Sequence, residues 1–261
     1  MPLQTSKGNQ FQGNHGHAVG LGMLIHQTRV TALGHNPSID TASTPEDVWE
    51  GGGLYPFQTS AQTLEVVSSS ANDAAAGTGT RSVTVIGLDA NYVQISEVVV
   101  LNGVTPVATT KQYLRVNTFT QASVGSGGIN AGDLTLRVSG AGATQALMKA
   151  GYGFARQCVY TVPANSTLFI MSLNFSVVSP AGAGVNAAVF ARWSQSSTGI
   201  QIIPIEFNVT STNPYLHPAE LGIVVAQKTD FTIRVTSVSQ NSTNLMANVE
   251  AVLYGNDVSG T

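Results

Sequence analysis

Apolar residues recur at every second position in short runs, each closed by Gly, Asn, Asp or Pro, and this alternation commits the chain to β-structure. In the stretch Arg81 to Asn117 the alternating positions are Val83 and Val85, then Ile95, Glu97, Val99 and Leu101, then Leu114 and Val116. Successive side chains on a strand point to opposite faces, so each run has a buried face and a solvated one. Asn102-Gly103 suits a tight hairpin and Leu88-Asp89-Ala90-Asn91 a second turn, which predicts a β-meander.

The same pattern continues on either side. Leu64 to Val67 and Leu134 to Val138 read as strands, with the small-residue run Ser68 to Thr80 as a flexible excursion between strands. Later, Phe169, Met171, Leu173, Phe175 and Val177 alternate with Ser172, Asn174 and Ser176, and further strands are expected at Gln157 to Val162, Val185 to Trp193, Ile200 to Val209, Leu221 to Ala226, Phe231 to Val238 and Leu245 to Tyr254. Helical periodicity is nowhere sustained. The expected fold is all-β: two β-sandwich, jelly-roll-like domains at residues 61–140 and 154–261. The Gly- and Ala-rich segment 141–153 is read as their connector, with a helical turn around Gln145 to Lys149.

Residues 1–60 differ from the rest. Gly13, Gly16, Gly20, Gly22 and Gly34 punctuate them, and apart from a candidate strand at Leu21 to Ile25 they read as an extended N-terminal arm lying across its own subunit or a neighbour. Thr44-Pro45-Glu46-Asp47 has the form of a helix start, with Thr44 as cap and Pro45 at the first position. Trp49, Tyr55 and Phe57 are candidate interface residues, able either to anchor a partner or to cap the core of their own subunit.

Only 10% of the 261 residues are charged, against roughly a quarter in ordinary soluble domains, and the net charge is −3. So weakly charged a surface suits a protein buried in an assembly or exposed as a stable multimer, with a secreted β-sandwich as the alternative. The eleven Lys and Arg are scattered singly, which argues against nucleic acid as a partner. The start has no apolar export core, and no apolar run reaches the length of a membrane span. Cys158, the single cysteine, excludes an internal disulfide and reads as a small buried thiol.

Candidate sites are few. Gly125-Ser126-Gly127-Gly128 lacks both the lysine of a phosphate loop and a third glycine, since Asn130 stands in that place; it reads as a turn. His15, His17, His26 and His35 are the candidate metal ligands, but no carboxylate or cysteine lies among them in metal-ligand spacing. They read as hydrogen-bonding or interface residues, and no metal or cofactor is expected. No Gly-x-Ser-x-Gly elbow or paired-carboxylate spacing marks a catalytic centre, so no catalytic residue is expected. Trp193, Tyr215 and Tyr254 are candidates for stacking on sugars, with core packing as the alternative.

Three stretches carry a family resemblance: Gly34 to Phe57 (GHNPSIDTASTPEDVWEGGGLYPF), Gly87 to Asn117 with its GLDANY, LNG and YLRVN phrases, and Gly151 to Ser172 with GYG followed by VYTVPANSTLFIMS. In this order they resemble virion structural proteins of tailed bacteriophages. The resemblance implies a non-enzymatic, β-rich, oligomeric protein on the outside of a capsid or at the tail. A capsid decoration (cement) protein is the first expectation, a trimer whose partner is the major capsid protein or other virion proteins. A tail, neck or fibre component, able to touch host-surface glycan, is the alternative. Its expected location is the virion, assembled in the host cytoplasm, with no membrane or nucleic-acid partner.

Overall fold

The computed structural model describes residues 3–4, 10–11, 26–178, 185–195, 201–210, 215–217 and 222–255. Described residues form strands and turns and no helix. The first strands are β1 (Leu3–Gln4), β2 (Gln10–Phe11), β3 (Gln27–Ile39) and β4 (Glu46–Asp47). One body then contains β5 (Gln62–Ser68), β6 (Thr80–Leu88), β7 (Gln94–Val100), β8 (Val107–Tyr113), β9 (Arg115–Val124), β10 (Leu134–Val138) and β11 (Thr144–Met148). The other contains β12 (Val159–Thr161), β13 (Ser166–Val178), β14 (Asn186–Gln195), β15 (Gln201–Thr210), β16 (Tyr215–His217), β17 (Ile223–Val225), β18 (Thr229–Val238) and β19 (Thr243–Gly255). The chain is all-β, and its antiparallel sheets are arranged as β-sandwiches.

In the first body the sheet β7-β6-β9 faces the sheet β11-β10-β5-β8. Their inward residues, among them Leu64, Val66, Val83, Val85, Tyr113, Phe119, Leu134 and Leu136, make one core, and each fully buried Leu or Phe contributes roughly 1.5–3 kcal/mol. The expected meander is corrected: β7 and β8 pair in different sheets, so the turn at Asn102-Gly103 carries the chain from one sheet to the other. Gly103 has φ +59° and its amide donates to the Asp73 carbonyl at 2.8 Å, a conformation that suits glycine. Glu97, on the inward face of the alternation, lies where the two sheets meet at an open edge. Its carboxylate accepts from the Thr110 amide at 3.1 Å, the Thr110 hydroxyl at 2.6 Å and the Lys111 amide at 3.2 Å, occupying donors that would otherwise invite another strand.

Two loop expectations also change. The excursion from Ser68 to Thr80 is anchored by fully buried Asp73, which accepts from Ser68 Oγ at 2.7 Å and from the amides of Thr80, Ala131 and Gly132 at 2.8, 2.9 and 2.8 Å. The connector expected at 141–153, with its helical turn at Gln145 to Lys149, contains strand β11, paired with β10. Gln145, Ala146 and Met148 are buried there, so burial overrides the helix propensity of that run.

In the second body the path β12-β18-β14-β15, with β4 beside β18, faces β16-β13-β19-β3, with β17 beside β13. Leu168, Ile170, Leu173 and Phe175 of β13 meet Val189 of β14 and Phe231, Ile233 and Val235 of β18 in its core. The reading of residues 1–60 as an arm is corrected at β3, a thirteen-residue strand paired with β19 from Gln27↔Tyr254 to Ile39↔Thr243. Its core-facing positions include Val30, Ala32 and Gly34, and the last two are too small to register as a hydrophobic alternation. Gly34 is forced by proximity: a Cβ there would lie 2.5 Å from the Val48 carbonyl and 2.6 Å from the Cys158 amide. The candidate strand Leu21 to Ile25 lies outside the described residues. The helix expected from Thr44 is corrected too. The Thr44-Pro45 peptide is cis, and Glu46 and Asp47 enter β4 beside β18, so the acids sit inside the sandwich rather than on a helix.

Candidate functional site

The segment from Glu46 to Gln58 joins the two bodies, and its acids meet cations supplied by strands far away in sequence. Asp47, with no exposed surface, binds Arg234 of β18 at two points, 2.7 and 2.9 Å, and accepts the Tyr55 amide at 2.8 Å. Glu46 accepts from Asn36 Nδ2 at 2.9 Å and from the Gly53 amide at 2.8 Å. Glu50 meets His35 Nδ1 at 2.8 Å and the Arg156 guanidinium, which also stacks over Tyr152 at 3.7 Å. Buried carboxylates of this kind persist because paired cations and amides replace their lost hydration.

Trp49, Tyr55 and Phe57 come together between the bodies. Trp49 and Tyr55 are 4% and 5% exposed and meet edge-on at 5.1 Å; Tyr55 and Phe57 meet edge-on at 4.9 Å. The Tyr55 hydroxyl donates to the Gln145 carbonyl at 2.8 Å, and burial holds its pKa well above the ordinary phenol value. Arg115 of β9 lies 5.0 Å over the Phe57 ring and reaches Asp230 of β18. Asp230 also accepts from Thr161 Oγ1 at 2.7 Å. Trp49 and Tyr55 therefore occupy an internal joint, and Phe57 packs partly buried against it.

Beside the joint runs a groove. A cleft of about 780 Å³ is lined by Thr28, Val30 and Thr31 of β3 and, opposite, by Ile86, Asn117 and Thr118 of the first body. A second cleft of about 270 Å³ continues it past Leu33 and Phe154. Arg29 and Glu250 at the groove are paired with each other at 2.8 Å. Asn117 ties the two sides together, donating to the Thr161 carbonyl and accepting its amide, both at 2.9 Å.

The other candidates are dispersed. His15 and His17 lie outside the described residues. His26 precedes β3, and His35 is nine residues further along, roughly 30 Å in an extended strand; His35 faces Glu50 and Asn244. Among the described residues no three metal-ligating side chains converge. Tyr254 lies edge-on to Phe169 at 6.5 Å on its own sheet. The side chains of Trp193 and Tyr215 lie outside what is described. Cys158 is buried with its thiol directed at the carbonyls of Ala32 and Ala247, each 3.3 Å away, and burial pushes its pKa far up.

The residues that build the joint and that sequence reasoning missed are Arg115, Asp230, Arg234 and Arg156. Each lone charge in so charge-poor a chain was the available signal, because an isolated Arg or Asp inside an apolar run must find a buried partner.

No protein-family model matches the chain, and no curated protein matches it. Among solved structures, that of the infectious bursal disease virus Gt strain has 14% identity and a TM-score of 0.19, covering 90% of this chain and 76% of that one. A mutant VP2 protein of the same virus has 10% identity and a TM-score of 0.20, covering 90% and 75%. The Gx strain structure has 13% identity and a TM-score of 0.19, covering 100% and 84%. Superposition at this level does not establish a common fold.

Proposed function

We propose that the chain is a non-enzymatic structural protein of a virion, most simply a capsid decoration protein that binds the outside of the shell as an oligomer. The observation that carries this reading is the internal use of its few charges. Six of the eleven cations, Arg29, Arg115, Arg137, Lys149, Arg156 and Arg234, pair with carboxylates of the same chain. What remains outside is sparsely charged, with Arg81 and Lys111 exposed, and in places apolar: Val98 and Val100, on the outer face of β7, are 59% and 56% exposed. A sparsely charged surface loses little hydration free energy on burial, and contacts of about 1,600 Å² repeated over many copies would stabilise a shell by addition.

Supporting it, the three stretches that resemble phage virion proteins fall on structural parts: β3 and the joint, the β6–β9 region, and the run from Gly151 into β13. The test is the copy number of this chain in purified particles, by quantitative mass spectrometry against the major capsid protein. A number near that of the capsid protein is the expected result. A handful of copies would move the protein to the tail or neck, and absence from particles would overturn the reading.

A further inference from the structure

The groove holds a strand edge that no other described residue pairs with. The Gly255 amide donates to the His26 carbonyl at 2.8 Å, and the register from Gln27↔Tyr254 to Gly34↔Ala247 is unbroken. In an antiparallel ladder bonded and non-bonded pairs alternate, so Thr28, Val30, Ala32 and Gly34 exchange hydrogen bonds with β19. Cys158 checks this assignment independently. Its Sγ is 3.3 Å from both the Ala32 and the Ala247 carbonyl oxygens, which converge only in that phase of the ladder. The amides and carbonyls of Arg29, Thr31 and Leu33 therefore point away from β19.

Nothing described pairs with them. β3 is the last strand of its sheet, and none of the loop and turn hydrogen bonds among the described residues uses these groups. The six consecutive residues Thr28 to Leu33 line the two contiguous clefts, so the groove follows the strand edge itself. At the open edge of the first body the Glu97 carboxylate occupies the Thr110 and Lys111 amides; among the described residues no such plug covers β3.

The geometry points to β-augmentation: the groove takes one extended, uncharged polypeptide segment of a partner protein as an added strand on β3. A row of donors and acceptors repeating every second residue matches a peptide backbone, over about 20 Å for six residues. Ile86, Asn117 and Thr118 wall the far side, so the edge of a second folded sheet would bring its own neighbouring strand into that wall. The occupant is a single segment. Its lack of charge follows from the lining, where Arg29 and Glu250 already neutralise each other.

The test is amide hydrogen exchange by NMR on the full chain, alone and with millimolar acetyl-(Thr-Val)3-amide or the same peptide N-methylated at alternate residues. Alone, the Arg29, Thr31 and Leu33 amides should exchange much faster than those of Val30 and Ala32. The unmodified peptide should slow these three by about tenfold or more. N-methylation should abolish the effect. So should Thr31→Pro, which removes an outward donor and leaves the β19 bonds in place; continued protection at Val30 and Ala32 shows that this variant is folded. Protection without peptide at all dilutions would mean that the edge is already covered, and protection rising with protein concentration would mean that a second copy is the occupant. Either result overturns the proposal. So does the absence of any effect of the peptide, or an equal effect of its N-methylated form.

Discussion

Arg115 and Asp230, 115 residues apart, meet at two points: Nε to Oδ1 at 2.7 Å and a terminal guanidinium nitrogen to Oδ2 at 2.9 Å, with both side chains 8% exposed. One belongs to β9 of the first body and the other to β18 of the second, so this ion pair spans the joint. Removing one partner leaves an uncompensated buried charge. Asp230→Ala should cost about 3–5 kcal/mol in urea denaturation, while the double replacement Arg115→Met with Asp230→Leu should cost clearly less. Equal losses would show that the pair is not the source of the cost.

The loop anchored by Asp73 should be as sensitive as the core. Asp73→Ala leaves the amides of Thr80, Ala131 and Gly132 without their acceptor, and hydrogen bonds to a charged group contribute about 1.5–3 kcal/mol each. A loss of at least about 2 kcal/mol in urea denaturation is expected. A near-neutral result would mean that water replaces the carboxylate.

Gly34→Ala places a methyl against the Val48 carbonyl and the Cys158 amide, two backbone groups that cannot swing aside. A loss of about 1–3 kcal/mol is expected. Calorimetry of the purified variant would read it, and a melting temperature equal to that of the parent would contradict the close approach.

Glu65 gives the protein an acid-sensitive contact. The Gly140 amide donates to its carboxylate at 3.1 Å, the Ala141 amide and Arg137 add to it, and together these lower its pKa below the usual carboxylate value despite the opposing effect of partial burial. A pKa depressed by folding stabilises the native state above the unfolded carboxylate pKa of about 4.3 and is lost as pH falls through the lower folded value. Glu65→Gln should therefore narrow the stability difference between neutral and acidic solution, measured by urea titration at several pH values. An unchanged pH dependence would assign that difference to other acids.

The β-strands were legible because their alternation is local: Leu134 to Val138 and Phe231 to Val238 stand within the strands expected from sequence. β3 was not legible. Gly34, on its inward face, has no side chain because Cys158 and Val48 press against it, and that constraint on Gly34 comes from elsewhere in the chain, Cys158 lying far away in sequence. The helix read at Thr44 failed for a related reason, since Glu46 and Asp47 look like a solvated first turn until Asn36 and Arg234 are seen beside them. Pairing between sheets was equally hidden: a Gly after Asn102 signals a turn, but not whether the next strand joins the same sheet. Trp49 and Tyr55 were found as a pair of candidates; that they face inward depends on Gln145 and on Val159, which is packed against them.

The pairing of β3 with β19 also imposes an order of events on a ribosome. More than 200 residues separate Arg29 from its partner Glu250, so β3 emerges long before the strand it needs. The first body, whose strands find each other between Gln62 and Met148, can close while β3 and β4 wait beside it. In topological terms the first sandwich is a guest inserted between two pieces of its host, and the host completes its sheet last.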